Sequence, residues 1–154
     1  MIKLKDLLFE GKPPSIFIPR RMENRIERLI MLYVRNGSKG DLDLSDLNLN
    51  ELPEILKNVS VGGSFFCGIN NLTSLKNAPN SVGRTFICRY NKLTSLINAP
   101  SSVGGYFDCS YNELTSLEGA PNSVGGFFYC TDNPVKFTEK QVRAVCNVKG
   151  TVYV

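Results

Sequence analysis

The chain lacks histidine and tryptophan altogether among its 154 residues. Without histidine, no Ser-His or Cys-His pair can activate a nucleophile, and the usual nitrogen ligand of zinc sites is missing. The sequence also has no GxxxxGK loop of the kind that cradles phosphate groups. These absences predict that the protein is not an enzyme and that it uses no metal and no other cofactor.

Long hydrophobic runs are missing as well. No apolar run in the sequence approaches the roughly 20 residues that a membrane-spanning helix needs. The first eight residues carry Asp6 inside a short apolar stretch, and no cleavage-site pattern follows them. We therefore expect no membrane partner and a cytoplasmic location.

Positive charge is scarce beyond the first 40 residues. The net charge is +4, but residues 1–40 hold nine basic residues against four acidic ones, while the remainder holds nine against ten. A groove that follows nucleic-acid phosphates needs basic residues along its length, so nucleic acid is not the expected partner. A solvated helix face explains Arg20, Arg21, Arg25 and Arg28 better than a site for an acidic partner does.

The chain does contain a repeat with a period of 21 residues. Cysteine recurs at this spacing, and each cysteine is followed three positions later by asparagine and five positions later by an apolar residue. The recurring pairs are Cys67/Asn70, Cys88/Asn91, Cys109/Asn112 and Cys130/Asn133. A unit of this length cannot bury its own apolar face, so the units must stack into an elongated solenoid.

Each unit predicts a short strand followed by a corner. Phenylalanine stands two positions before every cysteine, as Phe65 does before Cys67, so both side chains point inward from the strand. An Ala-Pro pair between units, such as Ala78-Pro79, favours an extended return path. The cysteines are predicted to be reduced core thiols, with a metal ladder or disulfides as the alternatives. The asparagines are predicted to satisfy backbone groups at the corner.

The array resembles the leucine-rich repeat family. The family's pattern of alternating apolar residues with an asparagine three positions later appears here as Phe65-x-Cys67-x-x-Asn70-x-Leu72. The short period is most similar to the repeats of secreted bacterial effectors, and the Val-Gly-Gly-x-Phe-x-Cys phrasing is similar to repeats in uncharacterised tailed-phage proteins. The resemblance implies an α/β solenoid with one parallel sheet on the concave face, extended convex return segments and an N-terminal helical cap.

On this basis the chain divides into four parts. They are an N-terminal arm at 1–19, a helical cap at 20–38, a leucine-rich repeat array at 39–135 and a C-terminal cap at 136–154. Aligning Leu44 with Cys67 gives a first repeat of 23 residues, in which Leu47 stands at the asparagine position. Thr138 and Gln141 have the spacing of a capping box, which predicts a short C-terminal helix before a final strand.

The side of the strands opposite the phenylalanines and cysteines is the candidate binding surface. Aromatic residues with one arginine among them have the composition of protein interface cores. Stacking of neighbouring side chains in the sheet is the alternative explanation. We expect Asp41, Asp43 and Asp46 to form an acidic margin that orients a basic partner. The predicted partner-binding residues are Phe66, Ile87, Arg89, Tyr90, Tyr106, Asp108, Tyr111, Phe127 and Tyr129.

Two functions follow from this reading. The favoured hypothesis is a non-enzymatic protein-binding module of phage or effector origin. It would bind a host protein on its concave aromatic face and inhibit or redirect it, in the cytoplasm of the bacterial host if a phage encodes it. The alternative is a structural or virion-assembly protein that self-associates or docks on a viral protein through its N-terminal arm. The sequence does not specify the oligomeric state.

Overall fold

The protein, seen in a computed structural model that describes residues 25–154, is a parallel β-solenoid of about five turns. The predicted N-terminal arm and residues 20–24 of the predicted helical cap lie outside the described residues. Helix α1 is Arg25–Arg35, a 3-10 helix is Glu54–Leu56, and helix α2 is Glu139–Val145. The strands are β1 (Leu42–Asp43), β2 (Ser60–Val61), β3 (Phe65–Phe66), β4 (Ser81–Val82), β5 (Phe86–Ile87), β6 (Ser102–Val103), β7 (Phe107–Asp108), β8 (Ser123–Val124), β9 (Phe128–Tyr129), β10 (Asn147–Val148) and β11 (Val152–Tyr153).

These strands form two parallel sheets. One sheet has six strands in the order β1-β3-β5-β7-β9-β11, and the other has five strands in the order β10-β8-β6-β4-β2. The prediction of an α/β fold with one sheet is therefore wrong, because the described chain is mostly β and has a second sheet. Four of the five extra strands are the Ser-Val pairs that precede the glycine turns, and the fifth is Asn147–Val148. Proline keeps the return path extended, and the β-branched valine suits a strand, so consecutive turns pair there too.

The register of the sheets confirms the repeat. Phe65, Phe86, Phe107 and Phe128 pair in sequence across the six-stranded sheet, each 21 residues from the next. Leu42 pairs with Phe65, which confirms the longer first repeat of 23 residues. The glycines at the turn between the two sheets allow the turns to approach closely, because a Cβ atom on Gly83 would collide with the carbonyl oxygen of Gly62.

The core is a column of phenylalanine and cysteine, with leucine and valine around it. The four phenylalanines are fully buried, and neighbouring rings lie 5.6, 5.4 and 5.1 Å apart between centroids. The four repeat cysteines are at most 3% exposed. As the spacing predicts, both residue types point inward. Burial of these columns is the main favourable term in the stability of the stack.

Each repeat asparagine joins one turn of the solenoid to the turn before it. The Asn91 Nδ2 group donates to the carbonyl oxygens of Cys88, in its own turn, and Cys67, in the preceding one, at 2.9 and 3.0 Å. The backbone N–H of Leu72, also in the preceding turn, donates to Asn91 Oδ1 at 2.9 Å. These contacts confirm that the asparagine side chain satisfies backbone groups at the corner, as predicted.

The first turn has Leu47 at the position of the repeat asparagine and relies on its neighbour. Asn70 Oδ1 accepts from the backbone N–H groups of Leu47 and Leu49 at 3.1 and 3.0 Å, and its Nδ2 group donates to the carbonyl oxygen of Leu44 at 2.9 Å. No buried side-chain nitrogen or oxygen lacks a partner within the described part of the chain. The leucine at position 47 therefore leaves the corner satisfied, because the bonds come from the next turn.

The two helices contribute apolar residues to the same core. Ile30 of α1 is fully buried, and Ile26, Leu29 and Tyr33 pack against the core beside it. Thr138 caps α2 in the predicted capping box, in which Gln141 N–H donates to the threonine hydroxyl at 3.3 Å. Across residues 25–154, neither helix is long and apolar enough to cross a membrane.

The asparagine contacts predict a large stability effect at one site. Asn91→Ala removes a donor and an acceptor that serve three buried backbone groups, so we expect the free energy of unfolding to fall by about 3 kcal/mol. Urea unfolding followed by circular dichroism measures this. Asn71→Ala is the matched control, because the Asn71 side chain donates to the exposed Asn48 side chain, and its loss should be below about 1 kcal/mol. Equal effects of the two substitutions would contradict the role of Asn91.

Candidate functional site

The candidate site is the outer side of the six-stranded sheet together with the corner that follows each strand. The strand register places one side chain from every turn in a single outward column, which runs Asp43, Phe66, Ile87, Asp108, Tyr129 and Tyr153. We call this surface the aromatic face. It consists of the nine predicted binding residues with Asp41, Asp43, Asp46, Ile69, Asp132 and Tyr153.

The aromatic rings of this face lie on one another in pairs. The ring centroids of Tyr90 and Tyr111 are 4.4 Å apart with planes 14° from parallel, and those of Tyr129 and Tyr153 are 4.6 Å apart at 4°. Tyr106 stacks on Phe127 at 5.0 Å. The alternative explanation by ring stacking is therefore correct for these contacts. Stacking turns the ring faces toward one another and leaves ring edges and hydroxyl groups for solvent.

Stacking leaves much of the aromatic surface exposed. Ile69 is 55% exposed, Tyr90 47%, Tyr106 46% and Tyr111 45%, whereas Phe66, Ile87, Phe127 and Tyr129 are half-buried. Scattered apolar residues are normal on a protein surface, but a contiguous apolar patch marks an interaction site. The patch extends over four successive turns, from Ile69 to Tyr129.

The corner residues of the aromatic face include bulky side chains in a backbone conformation that such residues rarely adopt. Ile69, Tyr90 and Tyr111 have φ angles of 56°, 56° and 54°, in the left-handed region that β-branched and bulky residues disfavour. A second left-handed corner precedes strands β2, β4, β6 and β8 of the five-stranded sheet and has residues suited to that conformation. Those residues are Asn58, Asn77, Asn98 and Gly119. At the aromatic corner, Asp46 and Asp132 of the first and fifth turns also suit this conformation, whereas the three turns between them have isoleucine or tyrosine. Those three residues are therefore chosen for the surface and not for the backbone.

The charges of the aromatic face are mostly negative. Five aspartates and one arginine give the face a net charge of −4, whereas the whole chain carries +4. The guanidinium of Arg89 lies 3.9 Å from the Asp108 carboxylate and 5.7 Å from the centroid of the Tyr90 ring. A hydrogen bond to Asp132 raises the pKa of Tyr111, because it favours the protonated phenol. The acidic margin predicted at the first turn is joined by Asp132 at the fifth.

Tyr153 is the one residue of the outward column that the sequence reading missed. It stacks on Tyr129 and meets Phe127 edge-on at 5.9 Å. Val152 and Val154 alternate around it, and Val152 is buried, so strand β11 extends the sheet by one turn. The alternation of Val152, Tyr153 and Val154 is the signal that places Tyr153 outward.

The repeat cysteines belong to the core and not to a reactive site. All five cysteines are free and buried, and burial raises the pKa of each thiol, to about 11 for Cys130 and Cys146. The Sγ atoms of Cys88 and Cys109 donate to backbone carbonyl oxygens in the next turn at 3.4 and 3.3 Å. From residue 25 onward, no group of three or more cysteine and carboxylate side chains is arranged to hold a metal ion.

A shallow groove runs along the five-stranded sheet on another side of the solenoid. Its volume is about 630 Å³, and small side chains line it in register, with Lys149 near one end. The serines that recur along it are Ser60, Ser81, Ser102 and Ser123. The Ser60 and Ser81 hydroxyls bond to each other at 3.0 Å. The groove has neither exposed aromatic residues nor a cluster of charges, and it offers less to a partner than the aromatic face.

Comparison with known proteins yields no relative. No family model, no curated protein and no solved structure matches the chain. The fold and the candidate site therefore rest on the residues and contacts described above.

The buried thiols predict a loss of stability at alkaline pH. Their folded pKa values are raised above the ordinary 9.0, so stability is complete below pH 9 and falls as the pH rises, because the unfolded thiols ionise first. Each thiol should contribute a loss of about 1.4 kcal/mol per pH unit above 9. Urea unfolding at pH 7 to 10 measures this, and a Cys88→Ala/Cys109→Ala variant should show a shallower dependence. A profile that stays flat to pH 10 would be the contrary result.

Proposed function

We propose that this protein is a non-enzymatic binding module that captures a partner protein on its aromatic face. The observation that carries the proposal is the left-handed corner, where exposed Ile69, Tyr90 and Tyr111 occupy positions that the backbone would give to asparagine or glycine. Exposure to water alone does not favour isoleucine or tyrosine over asparagine or glycine at these positions. Tyrosine is enriched among the residues that dominate the binding energy of protein interfaces.

The size of the face supports a protein partner. Six parallel strands about 4.8 Å apart extend over about 24 Å. A standard interface buries about 800 Å² on each partner, which corresponds to a patch of about 28 Å on a side. The face therefore matches a standard interface in length, and its two-residue strands, about 7 Å across, make it narrow, which suits one helix.

The resemblance to short-period leucine-rich repeats extends the proposal. On that basis the aromatic face is the concave one, helices α1 and α2 cap the two ends of the stack, and the module is of phage or effector origin. The burial of Ile30 in α1 and of Val142 in α2 supports the caps, since a solenoid needs terminal elements that cover its last apolar layer. Its action would be to inhibit or redirect a host protein in the bacterial cytoplasm.

The rival function is self-association in a structural assembly. Tyr153 and Val154 are 41% and 48% exposed on or beside β11, the last strand in the order of the six-stranded sheet. An outer strand with exposed apolar residues is a template for pairing with another chain. Docking through residues 1–19 is the second form of this alternative.

The proposed function predicts the effect of removing three tyrosines. Tyr90→Ala/Tyr111→Ala/Tyr129→Ala should reduce capture of the partner by at least about tenfold, because interface tyrosines often contribute 2 kcal/mol or more each. The measurement is an affinity pull-down from a lysate of the source cell, quantified by mass spectrometry. The variant should stay folded by circular dichroism, because the three rings lie outside the core and their stacking contributes only about 1 kcal/mol per pair.

A matched variant removes apolar surface elsewhere. Ile97, Val135 and Val145 are 45%, 38% and 50% exposed outside the aromatic face, so Ile97→Ala/Val135→Ala/Val145→Ala should leave capture unchanged. Equal capture by wild type and the tyrosine variant would refute the proposal. Capture that is lost instead on deleting residues 1–19, or a chain that sediments as an oligomer through β11, would favour the structural alternative.

A further inference from the structure

The corner of the aromatic face has acids at both ends and apolar residues between them. The residues that follow each other along this corner are Asp46, Ile69, Tyr90, Tyr111 and Asp132, and all five have φ angles between 54° and 57°. All five side chains are exposed. A single line of side chains thus begins and ends with a carboxylate and is apolar for the three turns in the middle. We call this line the corner column.

The corner column is rigid and evenly spaced. Backbone hydrogen bonds join its successive turns, for example from Tyr90 N–H to the carbonyl oxygen of Ser110 at 3.2 Å and from Tyr111 N–H to that of Thr131 at 3.1 Å. Parallel strands lie about 4.8 Å apart, so Asp46 and Asp132 are separated by four steps, or about 19 Å. The asparagine contacts of each corner hold this spacing before any partner arrives.

The spacing distinguishes between two shapes of partner. One turn of an α-helix rises about 5.4 Å, which exceeds one step of the column by about 0.6 Å and accumulates to about 2.4 Å over four steps. Alternate residues of an extended strand are about 6.7 Å apart, so the mismatch reaches about 8 Å over the same distance. Long, flexible side chains can absorb the first difference and not the second. A helix that lies along the column places one residue per turn opposite each corner side chain.

The charges of the corner column indicate which residues stand near the two ends of such a helix. Carboxylates at both ends of the column favour lysine or arginine, and an apolar stripe on the helix fits Ile69, Tyr90 and Tyr111. The exposed edges and hydroxyls of the stacked tyrosines add polar contacts beside this stripe. Since four turns of an α-helix comprise about 14 residues, the two basic residues lie about 14 positions apart on one face, and their flexible side chains absorb the difference of about 2.4 Å.

We infer that the partner presents an amphipathic α-helix, with an apolar stripe between two basic residues about 14 positions apart, to the corner column. This inference rests on the proposed function, because it names the partner class of the same face. It commits to a helix of another protein as the occupant. An extended segment, an acidic segment or a second copy of this chain is a contrary outcome.

A peptide selection tests the inference. The probe is a library of 22-residue, alanine-rich helical peptides randomised along one face, presented to three immobilised proteins. These are the wild type, the charge-reversed Asp46→Lys/Asp132→Lys variant and the ring-deleted Tyr90→Ala/Tyr111→Ala variant. Circular dichroism first establishes that each protein is folded. If the charge-reversed variant is unfolded, Asp46→Asn/Asp132→Asn replaces it.

The expected result has two parts. The wild type should enrich peptides with lysine or arginine about 14 positions apart around an apolar stripe, and charge reversal should change those positions to aspartate or glutamate. For the best wild-type peptide, Asp46→Asn/Asp132→Asn should raise the Kd by about tenfold, as two ion pairs of up to about 1 kcal/mol each allow. Raising the salt concentration should weaken that peptide's binding to the wild type.

The remaining outcomes separate the two proposals. Peptides that need Tyr90 and Tyr111 but show no paired basic positions would overturn the inference and leave the proposed function standing. Peptides that bind the ring-deleted variant equally well, or no enrichment on the wild type, would overturn both. Enriched peptides with the basic residues at another spacing would overturn the helix geometry. A wild-type chain that sediments as an oligomer, while the Tyr90→Ala/Tyr111→Ala variant does not, would favour self-association.

Discussion

The rest of the structure depends on the bonds that each repeat asparagine makes to two turns at once. A two-residue strand is too short to hold a sheet, and each sheet here is made only of such strands. The asparagine side chains supply additional bonds in the interior, where unpaired backbone groups would be costly. Through Asn70, Asn91, Asn112 and Asn133, every turn fixes the corner of the turn before it. Stability is therefore a property of neighbouring turns and not of single ones.

The same bonds explain how unfavourable residues persist at the exposed corner. A tyrosine in the left-handed region costs of order 1 kcal/mol or more. Asn91 and Asn112 follow Tyr90 and Tyr111 directly in the chain, and each is buried and bonded to two turns. The strained residue thus precedes the residue that fixes the backbone. The buried asparagine bonds fix the backbone conformation of the corner. The side chains there can therefore be selected for their contribution to the surface.

The sequence predicted what is periodic and missed what depends on three-dimensional spacing. The 21-residue period, the inward column, the longer first turn and the capping box at Thr138 could be read directly, because each is a local pattern. The second sheet was missed because Ser-Val is a weak strand signal by itself, and its four copies form strands only where they pair in register with one another and with Asn147–Val148. The sequence left the stacking of Tyr90 on Tyr111 as one of two explanations, since ring orientation depends on rotamers chosen in the assembled sheet.

Ring stacking and partner binding are compatible roles for the same tyrosines. An exposed tyrosine that is free to rotate loses rotamer entropy when it enters an interface, and that loss costs about 0.5–1.5 kcal/mol per side chain. The stacked pairs Tyr90/Tyr111 and Tyr129/Tyr153 meet part of that cost during folding, because each ring restricts the other. A face built only for stability would gain as much from rings that are buried. Rings that are ordered and still half exposed are the arrangement that lowers the entropic cost of capturing a partner.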